Sequence, residues 1–163
     1  MRRDTFLSTA RLVALLLPIG LLGGALVSQY GFGLHPCEMC MWQRWPHLAA
    51  IIAALAAIAL RRSPGMSATF TLLAALAILT SGAIGAFHAG VEYHWWEGLT
   101  TCSTTGPPPP GMSQLDVIMA APLTRCDSAQ WTLLGISLAG FNFIFSVLGS
   151  ILIFALVRRW GKA

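Results

Sequence analysis

SPGMSATFTLLAALAILTSGAIGAFHAGV, residues 63–91, carries no ionised side chain from end to end. A surface helix of that length would need a charged face, whereas a helix crossing a bilayer needs about 20 mostly apolar residues. Three further intervals lack charge: between Arg11 and Glu38, between Arg44 and Arg61, and between Asp127 and Arg158. Together they predict helices at about 12–30, 43–60, 69–90 and 134–157. The second interval holds only 16 residues between its arginines, so that helix spans only if it starts near Met39 and Arg44 snorkels or finds a partner. Gly20 and Gly24, and the Ser81/Gly85 pair, have the small-xxx-small spacing that lets backbones approach.

Composition agrees. Of 163 residues, 56% are hydrophobic and 10% charged, too few charges to coat a soluble body of this size. Disordered chains are poor in apolar residues and rich in charge, the reverse of this one. The net charge of +4 comes from ten scattered basic residues, which excludes a nucleic-acid binder. The expected fold class is an all-α membrane protein, a single four-transmembrane-helix bundle over residues 1–163.

Arg2, Arg3 and Arg11 precede the first helix, Arg61 and Arg62 follow the second, and Arg158, Arg159 and Lys162 follow the fourth. That puts eight of the ten basic residues on one side, which the positive-inside rule makes cytoplasmic, with both termini. The loops at about 31–42 and 91–133 then face outward. The apolar run from Leu12 to Val27 is longer than a signal-peptide core and has no A-x-A site, so the first helix is expected to be retained.

All four cysteines fall in the outward loops: Cys37 and Cys40 in one, Cys102 and Cys126 in the other. That side permits disulfides, so the placement points to redox chemistry or to bracing. Cys37-Glu38-Met39-Cys40 is a C-x-x-C, whose small ring favours reversible exchange. It follows Pro36 at the predicted start of the second helix, where the helix N-terminus stabilises a thiolate. Arg44 lies four residues beyond Cys40 and shares its face, adding a guanidinium to that thiolate. Half a zinc site and a structural staple are the competing readings. A zinc site wants a second close ligand pair, but Cys102 and Cys126 are 24 positions apart, and no metal is expected. Between them lie Pro107 to Pro110, stiff and extended, and then residues 113–119, which can form a short amphipathic helix at the bilayer surface.

Trp42, Trp45, Trp95, Trp96 and Trp131 gather near the outer interface, where such rings anchor. His88 lies near the outer end of the third helix, either as a packed helix contact or as a ligand, with Glu92 one turn later. With Arg44 they could line an outer pocket suited to a lipid-soluble carbonyl compound. His47 is read as a helix contact.

These features resemble the DsbB family, disulfide bond formation protein B. The likeness rests on Pro36-Cys37-x-x-Cys40 with Arg44, on His88-Ala-Gly-Val-Glu92, on Thr101-Cys102-Ser103, and on Cys126-Asp127 followed by Gln130-Trp131 and Leu134-Gly135. It runs along nearly the whole chain. The resemblance implies a protein-dithiol:quinone oxidoreductase of the bacterial inner membrane, with its cysteine loops in the periplasm. Cys37, Cys40, Cys102 and Cys126 would be catalytic, and Arg44 and His88 would bind the cofactor, ubiquinone or menaquinone. The implied partner is a periplasmic thioredoxin-fold, DsbA-like oxidase. It attacks a Cys102–Cys126 disulfide at Cys102, and electrons pass through a transient Cys126–Cys37 bond to Cys40 and the quinone. That relay is the known kinetic source of an oxidising periplasm. The four consecutive prolines and the Trp-rich 88–101 segment resemble a variant branch. The alternative class is a non-enzymatic transporter or assembly subunit braced by outer disulfides, although transport usually leaves ionisable residues inside the bilayer and only His88 and His47 qualify.

Overall fold

The computed structural model describes residues 2–98, 111, 113, 115 and 124–162. Cys102, the proline run and most of the amphipathic segment at 113–119 lie outside the described residues. Four long helices carry the fold: α1 Arg2–Phe32, α2 Glu38–Ala59, α3 Pro64–Glu92 and α4 Leu138–Lys162. A two-stranded antiparallel hairpin, β1 Thr132–Leu133 and β2 Ile136–Ser137, precedes α4.

Most helices outrun their predicted bounds because a hydropathy reading discards the polar and charged residues of their terminal turns. α1 begins at Arg2 rather than 12, with Asp4 complementing the dipole of its first turn. Pro18 sits inside it and is fully buried, as membrane helices tolerate. α3 begins at Pro64 rather than 69; Ser63 precedes it, and proline is pre-shaped for the first helical position. α2 begins at Glu38 rather than 43, on a cap described below.

The fourth helix is corrected the other way at its start. Residues 134–137 are not helical: Leu134 and Gly135 turn the hairpin at φ 52° and 78°. Paired positive φ values suit the strand twist and favour glycine at the second position. The Tyr93 hydroxyl donates to the Gly135 carbonyl (3.0 Å) and accepts from the Ser137 N–H (3.0 Å), tying the hairpin to the end of α3. Ser137 then caps α4, its Oγ accepting from the Gly140 N–H at 3.1 Å. The helix runs past 157 to Lys162, with Arg159 and Lys162 in its last turn.

α1, α3 and α4 are long and apolar enough to cross a membrane, whereas α2 is not among them. Gln43, Arg44 and His47 dilute its first half, in keeping with the short charge-free interval between Arg44 and Arg61. Its 22 residues still reach about 33 Å, the thickness of a bilayer core.

The helices alternate in direction. At one end Arg11 donates to Ser67 Oγ (2.7 Å), which donates to the Ala57 carbonyl (2.6 Å), joining the start of α1 to the end of α2 and the start of α3. Leu7, Ala10, Ala54, Ala68 and Val157 belong to the core cluster that continues from there. The opposite end holds the C-x-x-C. Between the ends α3 packs closely on α4 through small residues. A Cβ added at Gly82 would meet Ser146 Cβ at 2.8 Å, and one at Gly85 would meet the Ala139 carbonyl at 3.0 Å. Gly20 and Gly24 have nothing within 4 Å of an added Cβ. Gly82→Ala and Gly85→Ala are therefore expected to destabilise the protein by about 1–3 kcal/mol. Gly20→Ala and Gly24→Ala should stay within about 0.5 kcal/mol. Thermal unfolding in detergent checks the contrast, and equal effects at all four glycines would refute it.

Candidate thiol-redox site

Pro36 disfavours any extension of α2 back beyond itself, and the residue after it, Cys37, is the cap. Cys37 has φ −77° and ψ 174°, extended backbone, and its Sγ accepts the Cys40 N–H at 3.3 Å. Its carbonyl accepts the Met41 N–H at 3.1 Å. A sulfur thus does the work that a serine or aspartate oxygen usually does at a helix start. The same geometry brings Cys40 round one turn, and the two sulfurs lie 3.1 Å apart as free thiols. Cys37 is buried, while Cys40 is half-buried.

The site sits on a chain of side-chain hydrogen bonds through the bundle. His88 Nε2 lies 3.5 Å from Cys37 Sγ, and its Nδ1 lies 2.9 Å from Gln43 Nε2. Gln43 Nε2 also donates to the Met39 carbonyl at 3.2 Å, and its Oε1 accepts from Asn142 Nδ2 at 2.8 Å. Asn142 Nδ2 reaches the Ser81 carbonyl at 3.2 Å, and its Oδ1 faces His47 Nε2 at 2.8 Å. His47 is thus a helix contact, bonded across to α4. Glu92, one turn beyond His88, places Oε1 3.7 Å from His88 Nε2 and hydrogen-bonds the Ser137 side chain. Its Oε2 is buried without a partner among the described residues.

Cys37 ionises far below an ordinary thiol. The hydrogen bond from the Cys40 thiol is the main cause, burial opposes it, and the His88 contact adds to it; together they bring Cys37 from 9.0 to about 4. The sequence reading placed the Arg44 guanidinium beside a Cys40 thiolate. The Arg44 guanidinium turns instead to α1, donating to Gln29 Oε1 (2.6 Å) and to the Ala25 carbonyl (3.4 Å). The helix-end stabilisation falls on Cys37 because Cys37, not Cys40, occupies the cap.

Cys126 is disulfide-bonded and buried. It belongs to the same buried cluster as Cys37, Met39 and Val91, with Cys40 and Phe87 against it. Its backbone hydrogen-bonds His88. Gln130 Nε2 donates to the His35 carbonyl (2.6 Å), tying this segment to the approach of α2, and Arg125 pairs with Asp127 within the segment (2.6 Å).

A mostly apolar cavity of about 260 Å³ opens beside Cys37 and Cys40. Gly20, Gly24 and Ala25 of α1 form one wall and Phe141, Asn142 and Phe145 of α4 another, while Arg44, His47, His88 and Glu92 supply the polar groups. Such a pocket fits a flat, lipid-soluble ring bearing acceptor oxygens. The ligand atoms of Cys37, Cys40 and His88 also lie within 4.8 Å of one another, a spacing compatible with a metal ion. The structure thus brings together Cys37, Cys40, His88, Arg44 and Cys126, whereas Cys102 lies outside the described residues. The sequence reading passed over Gln43 and Asn142 and took Ser81 only as a small packing residue, although polar residues inside apolar helices were the signal that marks them.

A pair of free vicinal thiols packed against a disulfide-bonded cysteine, at one end of an apolar helical bundle, defines a thiol–disulfide protein of membranes. The family described as disulfide bond formation protein DsbB matches residues 8–156, and the chain belongs to that family. Similar proteins include the disulfide bond formation protein B of Polaromonas sp. (strain JS666 / ATCC BAA-500), 31% identical over 86% of this chain and 87% of its own length. The protein of the same name from Acidovorax sp. (strain JS42) is 28% identical over 88% and 83%. An uncharacterized protein of Rickettsia prowazekii (strain Madrid E) is 27% identical over 83% and 79%. No solved structure matches the chain.

Iodoacetamide reacts with thiolates, so its rate at Cys37 follows the deprotonated fraction. In the reduced protein that rate should climb through about pH 4 and be level at neutral pH; an ordinary thiol of 9.0 would still gain roughly tenfold per unit there. Site-resolved mass spectrometry checks this, and a midpoint near the ordinary value would refute it. The linkage has a fixed sign. A depressed thiol stabilises the fold most above its unfolded value of 9.0, and that contribution is lost as pH falls towards about 4.

Proposed function

We propose that this protein reoxidises a periplasmic, thioredoxin-fold DsbA-like oxidase and passes the electrons to a membrane quinone, ubiquinone or menaquinone. In this reading it is a single-domain inner-membrane protein whose termini and eight clustered basic residues are cytoplasmic and whose cysteine segments face the periplasm. The observation that carries the reading is the shared buried cluster of Cys37 and the disulfide-bonded Cys126 beside the cavity. The free state of Cys37 and Cys40 also argues against cysteines that merely brace the loops.

The exchange balances as follows. Cys126 pairs with Cys102, and the oxidase's thiolate attacks Cys102, releasing Cys126 as a thiolate. Cys126 attacks Cys37 of an oxidised Cys37–Cys40 pair, releasing Cys40. The oxidase's second thiol frees Cys102 by taking back its disulfide. Cys102 then displaces Cys37 from Cys126, leaving the Cys37–Cys40 dithiol. A bound quinone supplies the sink for the two electrons and two protons that leave this dithiol when its disulfide reforms. Two bonds to α1 leave Arg44 further N–H donors for a ring oxygen, and His88 stands against Cys37 in the same cavity.

Mixing the purified protein, a reduced DsbA-like oxidase and a soluble quinone, and following quinone absorbance, tests this. About one quinone should be consumed per disulfide delivered. Alanine at any of the four cysteines should abolish turnover, and full turnover in Cys40→Ala would overturn the proposed exit. Arg44→Ala should raise the quinone KM about tenfold, the scale of one charge-assisted hydrogen bond. An unchanged KM would remove Arg44 from the quinone site.

A further inference from the structure

Gln43 stands beneath His88 with its amide fixed from two directions. Its Nε2 faces the Met39 carbonyl at 3.2 Å, an atom that can only accept. Its Oε1 faces Asn142 Nδ2 at 2.8 Å, an atom that can only donate. Asn142 is oriented in turn: Nδ2 lies 3.2 Å from the Ser81 carbonyl, and Ser146 Oγ donates to Oδ1 at 3.1 Å. Turning either amide over would set oxygen against oxygen and donor against donor. Gln43 therefore presents a donor, Nε2, to His88 Nδ1 at 2.9 Å. Nδ1 must accept it, and so a neutral His88 carries its proton on Nε2.

We propose that Gln43, oriented by Asn142 and the Ser81 and Met39 carbonyls, is a positioning residue that locks His88 in the Nε2–H tautomer and keeps it a hydrogen-bond donor towards Cys37. The acceptors round Nε2 are in place: Cys37 Sγ at 3.5 Å and Glu92 Oε1 at 3.7 Å. The lock has a second consequence. A protonated Nε2 offers no lone pair, so the Cys37, Cys40 and His88 trio is turned away from metal binding despite its spacing. In a site whose thiols must stay open to exchange, both consequences serve one end.

The inference rests on the reading of Cys37 as an exchanging thiol, but the lock itself has a readout that needs no turnover. The titratable and charged groups near Cys37 are Cys40, Arg44 and His47 from α2, His88 and Glu92 from α3, and His35 and Arg125 from the adjoining segments. The test leaves all of them in place. In ¹⁵N-histidine-labelled, reduced protein, long-range nitrogen–proton spectra should assign His88 as Nε2–H at neutral pH. An Nδ1–H assignment overturns the lock even if the quinone assay succeeds, and a failed quinone assay leaves the tautomer result standing.

Gln43→Met keeps length and removes the donor, and should give mixed tautomers. It should also raise the midpoint of Cys37 alkylation by about one to two pH units, the worth of one hydrogen bond to a charged sulfur. Asn142→Leu, which alters no atom bonded to His88, should move both readouts the same way by a smaller amount. A residue that only fills space would leave the tautomer unchanged in both variants, and that result overturns the proposal.

Discussion

A helix that starts within an apolar bundle has unpaired N–H groups that lipid cannot satisfy, and α2 meets that requirement with the sulfur of Cys37. Much else follows from this contact. Because the cap is a cysteine, the helix start is also a reactive site. Because a cap bonds the N–H three residues on, the C-x-x-C spacing is what places a second sulfur 3.1 Å away. Because Pro36 precedes the cap, the helix does not continue back through His35. The dilute hydropathy of α2 belongs to the same requirement, since its first turns carry the groups that surround the thiols.

Polar groups at this depth must be matched by others, and the bundle matches most of them. Gln43, His47, Ser81, His88, Asn142 and Ser146 form one connected set, with members from α2, α3 and α4. An unmatched buried donor or acceptor costs about 1–3 kcal/mol, so such a set holds the three helices in one register. Gly82 and Gly85 belong to the same arrangement. Without a Cβ they let α4 come close enough to α3 for Asn142 to reach both the Ser81 carbonyl and Gln43. The exceptions are informative. Glu92 Oε2 and His47 Nδ1 are buried without partners among the described residues, and both residues line the cavity beside the cysteines.

Charge-free stretches located the helices because ionised groups are the costliest to place in lipid. The same logic missed their ends, since Asp4, Glu38, Arg159 and Lys162 lie in terminal turns where a charge is favourable. The hairpin before α4 escaped because Leu134 carries positive φ, a conformation that an apolar side chain does not advertise; only Gly135 hinted at a turn. The C-x-x-C was legible from spacing alone. Its electrostatics were not, because spacing puts Arg44 on the face of Cys40 but is silent about Gln29 on another helix, which takes the guanidinium. Gln43 and Asn142 were visible as polar letters in apolar runs. Their partnership could not be read, since it depends on a contact between residues 99 apart in the chain.

In the proposed function, the direction of electron flow would follow from where the thiolate sits. Stabilising a thiolate favours the reduced form of a cysteine pair and so makes its disulfide the stronger oxidant; in a two-electron exchange about 1.4 kcal/mol corresponds to 30 mV. Cys37, held ionised by Cys40 and His88, biases the C-x-x-C pair towards the dithiol. Cys126 is buried and disulfide-bonded in the same cluster. Electrons arriving at the loop cysteines would thus run downhill to Cys37 and Cys40, and the dithiol formed there is the form that the site stabilises. Such a pair needs an acceptor strong enough to reverse that preference, and an acceptor dissolved in lipid can reach it only from the bundle's side. The cavity between α1 and α4 opens on the two sulfurs there, which would give the proposed reaction, whose product is a disulfide in water, its membrane location.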